Sequence, residues 1–382
     1  MKKTIAHIIL FLSAATLLTA CTDQSLPASP APESGRVVIA YSISGTQTRA
    51  TEEGWNEGWN ENLVNSLYLL VMRRTEVKVH GPYNENHIDP QNGTYETLET
   101  DLDVAAIAGC DSVYLVANCP SVANIETVQQ LQQAIIHPTQ DSTDPLLVYN
   151  SKQTLFAMDA KGTIATDADN NMTLTFDLVR AAAKIRLTIY PQGPYGIDIQ
   201  KDITYRACNF ATSTHLLAAM ETYDNLSSWT NSEGFTPVNN DQIYQTDAYS
   251  PQQIVFYSYP NDWFDTSRVN EDNHITDMFT SPPILYDRQT YILIRAPYNN
   301  TEGYYKIPVN HQLPDDSDRT DYEYTNEVRS LFRVERNHFY DISVTIDLPG
   351  GPIEDPVIPD FTIRINDWTE GGDYTLSPDD FV

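Results

Sequence analysis

Apolar and polar residues alternate with a period of two along much of the chain. From Arg36 to Ser44, Val37, Ile39, Tyr41 and Ile43 fall on one side. Val38, Ala40, Ser42 and Ser44 fall on the other. That spacing predicts a strand with one strongly apolar face. Leu63 to Met72 predicts a second, with Leu67, Leu69 and Val71 together. Val113 to Ala117, Ile254 to Tyr259, Tyr291 to Arg295 and Tyr304 to Val309 are short apolar runs of strand length. Met172, Leu174, Phe176 and Leu178 alternate cleanly, as do Ile185, Leu187 and Ile189. Near the end, Tyr340, Ile342, Val344 and Ile346 alternate, and Phe361, Ile363 and Ile365 close the series before Trp368. Helical spacing is scarce. Thr127 to Ile136, rich in Gln and Leu, is the best candidate. Many short strands between turn residues predict a mainly β chain of two β-sandwiches with few short helices. The joint is expected at Arg180 to Lys184, which interrupts two alternating runs. Leu348 to Asp360 is too rich in Pro and Gly for a central strand and predicts a loop.

The N-terminus follows a different pattern. Lys2 and Lys3 precede an apolar run from Ile8 to Leu18, and Leu18-Thr19-Ala20-Cys21 follows. The run is too short to span a bilayer, which takes about 20 residues. It is the arrangement of a secretory signal. An ordinary signal peptide cut near Ala20 would leave Cys21 incidental. The leucine, the small residues and the cysteine at the cut resemble the bacterial lipobox, which implies that Cys21 carries lipid through a thioether. Acyl chains such as palmitate then hold the chain at a membrane, at about 0.8 kcal/mol per buried CH2. Thr22 stands where an aspartate would signal inner-membrane retention, so the resemblance implies the outer membrane and the cell surface. Residues 22–35 are rich in Pro, Ser and Ala and read as a tether.

Charge narrows the partners. A formal net charge of −29 over 382 residues disfavours nucleic acid and anionic lipid. Once Cys21 is acylated, Cys110, Cys119 and Cys208 remain, and three thiols cannot all pair in one chain. Cys110 and Cys119 bracket a strand, which puts them roughly 30 Å apart and out of disulfide reach. Buried free thiols are the expectation.

No catalytic, cofactor or metal signature emerges. G-x-S-x-G, H-E-x-x-H, P-loop and dinucleotide patterns are missing. Histidines are few and scattered, and His311 and His338 form no motif. Asp315 to Asp321 has carboxylates at alternate positions, but Thr320 and Asn326 occupy the places where a calcium loop needs Gly and Glu. A solvated acidic loop is expected. Trp55, Trp59 and Trp368 could stack on sugars, although Trp368 also fits as packing at the end of its strand.

One combination stands out: the Val37–Ile43 strand lies directly before a polar segment containing Arg49. An N-terminal edge strand followed by an ordinary loop would account for it. A sharper reading is cleavage between Arg49 and Ala50, which would remove the strand and open an apolar groove with unpaired edges. Four inward side chains at about 1.5–3 kcal/mol each would supply roughly 6–12 kcal/mol to a replacement strand, before ordering costs.

The order of motifs resembles the fimbrillins, the type V pilins. Lipobox, strand and Thr48-Arg49-Ala50-Thr51 are followed by Leu63–Val71, then by Val113-Tyr114-Leu115-Val116-Ala117-Asn118. Leu178–Ile185 is similar to the family's Arg-centred joint. Val334-Glu335-Arg336-Asn337-His338-Phe339-Tyr340-Asp341-Ile342 is the closest local match, ahead of a Pro-rich loop and a last strand ending in Asn366-Asp367-Trp368. The resemblance implies two tandem transthyretin-like β-sandwich domains: a signal peptide at 1–20, a lipidated propeptide at 21–49, and sandwiches at 50–180 and 181–382. It implies that Cys21 is lipidated, that an arginine-specific protease cuts after Arg49, and that the strand bearing Val37, Ile39, Tyr41 and Ile43 is discarded. Polymerisation would be by donor-strand exchange with other pilin subunits, the donor being Phe361, Ile363, Ile365 and the tail to Val382. Adhesion to a host or bacterial surface receptor would follow. The Arg336-Asn337 pair carries no implied role and is expected to make a turn before the Tyr340 strand. Two alternatives stay open: an anchor or tip subunit of the same pilus, and a surface glycan-binding lipoprotein that uses the exposed tryptophans.

Overall fold

The computed structural model describes residues 35–43, 64–87, 95–136, 156–191, 203–211, 213–221, 229–230, 235–237, 252–276, 278, 281–310, 321–359 and 361–367. In chain order, the first strands are β1 (Arg36–Ile43), β2 (Val64–Arg73), β3 (Glu76–His87) and β4 (Glu96–Asp103). Helix α1 (Val104–Ile107), β5 (Ser112–Ala117), helix α2 (Val128–Gln132) and β6 (Ile135–Ile136) follow. Then come β7 (Met158–Lys161), β8 (Thr163–Thr166), β9 (Met172–Arg180) and β10 (Ala183–Pro191). The next strands are β11 (Thr204–Cys208), β12 (Phe210–Ala211), β13 (Thr214–His215), β14 (Trp229–Thr230), β15 (Thr236–Pro237) and β16 (Gln252–Ser258). Beyond them lie β17 (Asn261–Asp262), β18 (His274–Thr276), β19 (Tyr291–Tyr298), β20 (Thr301–Pro308) and β21 (Asp321–Glu323). Helix α3 (Asn326–Ser330), β22 (Arg333–Val334), β23 (His338–Ile346) and β24 (Phe361–Asp367) complete the described chain. The fold is mainly β with short helices, as the alternation predicts.

The strands β3-β2-β5-β7-β9-β1-β4 are hydrogen-bonded in that order, with β8 also on β9. Two four-stranded sheets follow, ordered β16-β10-β23-β24 and β15-β11-β19-β20. Buried apolar residues gather in two clusters. Val37, Leu69, Leu115, Phe156 and Phe176 belong to the first. Leu187, Tyr205, Trp263, Ile294 and Ile342 belong to the second. Ala182 packs in the first and Ala183 in the second. The first cluster also takes in Leu217, Tyr257 and Phe339, so the two halves touch, with the Phe156 and Tyr257 rings 4.9 Å apart.

Buried polar side chains meet at this junction and share hydrogen bonds, although Arg336 Nε and Glu221 Oε1 are buried there without one among the described residues. Arg336 donates to Asp159 Oδ1 at 2.9 Å, to Glu221 Oε2 at 2.9 Å and to the His215 carbonyl at 2.7 Å. Arg180 Nη1 donates to Asn337 Oδ1 at 3.1 Å, and Asn337 N donates to the Ala182 carbonyl at 2.8 Å. Asn337 takes the left-handed conformation at φ 56°, which asparagine tolerates better than most residues. The expected turn is therefore present, but Arg336 also ties β7 to β13. Burial pushes the Asp159 carboxyl up to about 6, against the pull of Arg336. Within the second half, Arg186 and Asp341 are register partners on β10 and β23 and form a two-pronged pair at 2.9 and 2.8 Å.

Several expectations need correction. The helix proposed over Thr127–Ile136 is only Val128–Gln132. Thr127 caps it, with Gln130 completing a capping box. Ile135 and Ile136 leave the helix to pair with His215 and Thr214, and Ile136 is buried there. β-branched residues gain more from that pairing than from another helical turn. The polar strands β3 and β4 carry too little alternation to be foreseen. None of the three described thiols is in a disulfide. Cys119 and Cys208 are buried as expected, but Cys110 is only half-buried.

Candidate functional site

The most distinctive site is the bed of β1. Val37, Ile39 and Tyr41 are 0% exposed and Ile43 is 1% exposed. The other face is covered too: Ala40 and Ser42 are buried and Val38 is half-buried. β1 runs parallel to β9 from Val37 beside Met172 to Ile43 beside Leu178. It runs antiparallel to β4, with Ile39 opposite Leu98 and Tyr41 opposite Glu96. It is therefore an interior strand, and the edge-strand reading is wrong. The polar strand β4, only weakly marked in the hydrophobic pattern, seals its outer side.

Polar contacts fasten β1 along its length. Thr100 Oγ1 donates to the Val37 carbonyl at 2.7 Å. Arg36 N donates to Asn171 Oδ1 at 3.0 Å. Ser42 Oγ and Tyr95 OH both donate to Asp177 Oδ1, at 2.6 and 2.8 Å. The bond to Asp177 raises the Tyr95 phenol above its ordinary pKa, because ionising it would set two negative charges together. The chain enters beside the Asn170 carbonyl so closely that a Cβ on Gly35 would lie 1.9 Å from that oxygen. Only glycine fits there. Taking β1 away would strip one side of β9 and remove the only ladder partner that β4 has among the described residues.

The C-terminal strand β24 is held differently. Among the described residues it is the edge of its sheet and its one ladder partner is β23. Phe361 stands beside Val344, Ile363 beside Ile342 and Ile365 beside Tyr340. Phe361, Ile363 and Ile365 are half-buried and pack against the second cluster. The structure does not bring β24 onto the bed of β1, since the two strands stand in separate sheets.

Cys21, Arg49, Ala50, Trp55, Trp59, His311 and Trp368 lie outside the described residues, as do residues 315–320. His338 opens β23 and contacts the Arg336 carbonyl through Nδ1 at 2.8 Å. Among the described residues, no group of three or more His, Cys, Asp or Glu side chains could hold a metal ion. Among the same residues, no helix is long and apolar enough to cross a membrane. Sequence reasoning missed β4, Tyr95 and Asp177. The one signal was the weak spacing of Leu98, Thr100 and Leu102.

No family model matches the chain, and no curated protein matches it. Solved structures do. The tip fimbrial protein Mfa3 from Porphyromonas gingivalis, in a C-terminally truncated form, aligns with a TM-score of 0.48 at 13% identity, over 87% of this chain and 99% of that one. A fimbrilin from Porphyromonas gingivalis W83 aligns with a TM-score of 0.48 at 13% identity, over 87% and 97%. A chain named for cell adhesion from Parabacteroides distasonis aligns with a TM-score of 0.48 at 15% identity, over 87% and 96%.

Proposed function

We propose that the protein is a structural subunit of a cell-surface fimbria, exported as a lipoprotein at Cys21, cut after Arg49 and joined to its neighbours by strand exchange. One observation carries this reading. The strand directly upstream of Arg49 is an interior strand with four inward side chains at most 1% exposed and both edges paired. Such a segment is a plug. While it stays, no other chain can use the groove. Once it leaves, the apolar bed and two strand edges are open together, which is the geometry of strand addition.

The donor in this reading is β24 with the tail that follows it. Its edge position and partly exposed side chains mean that it leaves its own sheet at lower cost than β1 would. Two tandem domains, divided at about residues 180–181, are part of the proposal. So is the sequence of events: lipid at Cys21 delivers the subunit to the outer membrane, and cleavage at Arg49 removes the anchor and the plug in one step. Adhesion to a surface receptor is the purpose of the assembled fibre.

N-terminal sequencing of mature protein from the native surface tests the reading. A start at Ala50 is expected. Material that is wholly blocked by an acylated Cys21 would reject the stalk role. Arg49→Ala is expected to abolish SDS-resistant ladders, and persistence of those ladders would reject cleavage at this position.

A further inference from the structure

The outer face of the β15-β11-β19-β20 sheet carries chemistry that the pilus reading does not use. Register sets three rows across it: Thr204, Arg295 and Tyr304; Arg206, Leu293 and Lys306; Cys208, Tyr291 and Pro308. The alternate positions, including Tyr205, Ile294 and Tyr305, point into the second core. Leu293 is buried at the centre of the outer face. Around it the cations stack on rings. Arg206 and Arg295 lie over Phe235, at 5.4 and 5.3 Å from its centroid. Lys306 lies 4.6 Å from the centroid of Tyr291 and 5.5 Å from that of Tyr286, which is 59% exposed.

This patch runs against the character of the chain, in which 52 carboxylates face 23 Lys and Arg. Among the described residues, neither Arg206 nor Lys306 has a carboxylate partner, and Arg206 Nε is buried without a hydrogen bond. Arg295 donates to Thr204 Oγ1 at 3.1 Å and meets only Glu302, at 3.6 Å, among those residues. Burial lowers the Lys306 pKa. A half-buried cation of this kind would gain from an incoming anion.

We propose that this face binds acidic carbohydrate, meaning sugar units that carry carboxylate or sulfate groups. Guanidinium forks match such groups in two-pronged fashion, and the exposed Tyr286 ring offers a flat surface to the C–H face of a sugar ring. An extended peptide is a poorer occupant, because it is recognised largely along a free sheet edge. Here β15 pairs with the Thr204–Tyr205 end of the outer edge of β11. The outer edge of β20 is covered by the 351–357 segment, through Tyr304 N to the Gly351 carbonyl at 2.9 Å and Lys306 N to the Val357 carbonyl at 2.8 Å. Nucleic acid is disfavoured by the net charge of −29. The inference does not depend on the pilus reading.

Calorimetric titration of the full chain tests it, with oligogalacturonate as carboxylate probe, heparin-derived oligosaccharide as sulfate probe, and maltohexaose and polyglutamate as controls. Binding of at least one acidic oligosaccharide is expected, weakening as salt rises. Arg206→Gln with Lys306→Gln is expected to lower affinity about tenfold or more. The exposed Tyr286→Ala is expected to lower it about threefold while leaving the salt dependence in place. No binding by either acidic probe would overturn the proposal, and so would equal binding of polyglutamate or of maltohexaose. Unchanged affinity in the folded double variant would overturn it as well. If that variant does not fold, unchanged affinity in Tyr286→Ala overturns it.

Discussion

The N-terminal strand β1 and the C-terminal strand β24 have similar alternating sequences but different places in the fold. β1 is closed in by β9 on one side and β4 on the other, with its inward apolar side chains fully buried. Among the described residues, β24 is paired by a strand on one side only, and its apolar side chains are not fully buried. Burial of apolar area is the main source of hold for both. The difference is one of hold: β24, with one paired edge and half-buried apolar side chains, is held less firmly than β1. In the proposed strand exchange, this asymmetry would keep the groove closed before cleavage and leave β24 the easier strand to release.

Three measurements would break or sharpen this contrast. The largest effect belongs to β1: Tyr41→Ala in the uncleaved chain is expected to cost about 3–5 kcal/mol in denaturant unfolding. A loss below about 1 kcal/mol would mean that β1 is no more firmly held than an edge strand.

The second concerns the junction between the halves. Asp159 is raised from 3.8 to about 6 by burial. A carboxyl whose folded pKa lies above its unfolded value holds its proton more tightly when folded. Its contribution is fully present below 3.8 and is lost as pH rises through 6. Between about pH 4 and 7 the wild type is expected to lose up to about 3 kcal/mol relative to Asp159→Asn. If the halves that hold β1 and β24 unfold together, one transition moves with pH. Two transitions, with only one moving, would show that the strands report on separate units.

The smallest effect belongs to β24. Ile363→Ala is expected to cost about 1–2 kcal/mol, less than the range for a fully buried isoleucine. A loss as large as that of Tyr41→Ala would erase the contrast and remove the reason for treating β24 as the readily released strand.

Much of the strand content was legible because alternation is a local property. Val37, Ile39, Tyr41 and Ile43 announce a buried face in eight residues, and the same holds for Met172 to Leu178 and Tyr340 to Ile346. The helix near Thr127 was legible from its Gln and Leu content, but it ends early because Ile135 and Ile136 find partners in β13, far along the chain. The polar strand β4 was not legible, since Glu96, Glu99, Asp101 and Asp103 give no sign that Leu98 and Leu102 lie against a core. Arg336 likewise reads as a turn residue until Asp159 and Glu221 are brought to it from 177 and 115 positions away.

By itself, then, the order of residues determined the β character of this protein and the inward faces of its strands, because each rests on neighbours within a few positions. Only the tertiary structure decided that β1 is interior and β24 an edge, that Arg336 locks the two halves, and that Arg206, Arg295 and Lys306 share one face. Those facts depend on which strands pair. Pairing is settled by the burial and hydrogen bonding of segments distant along the chain, which no local pattern records.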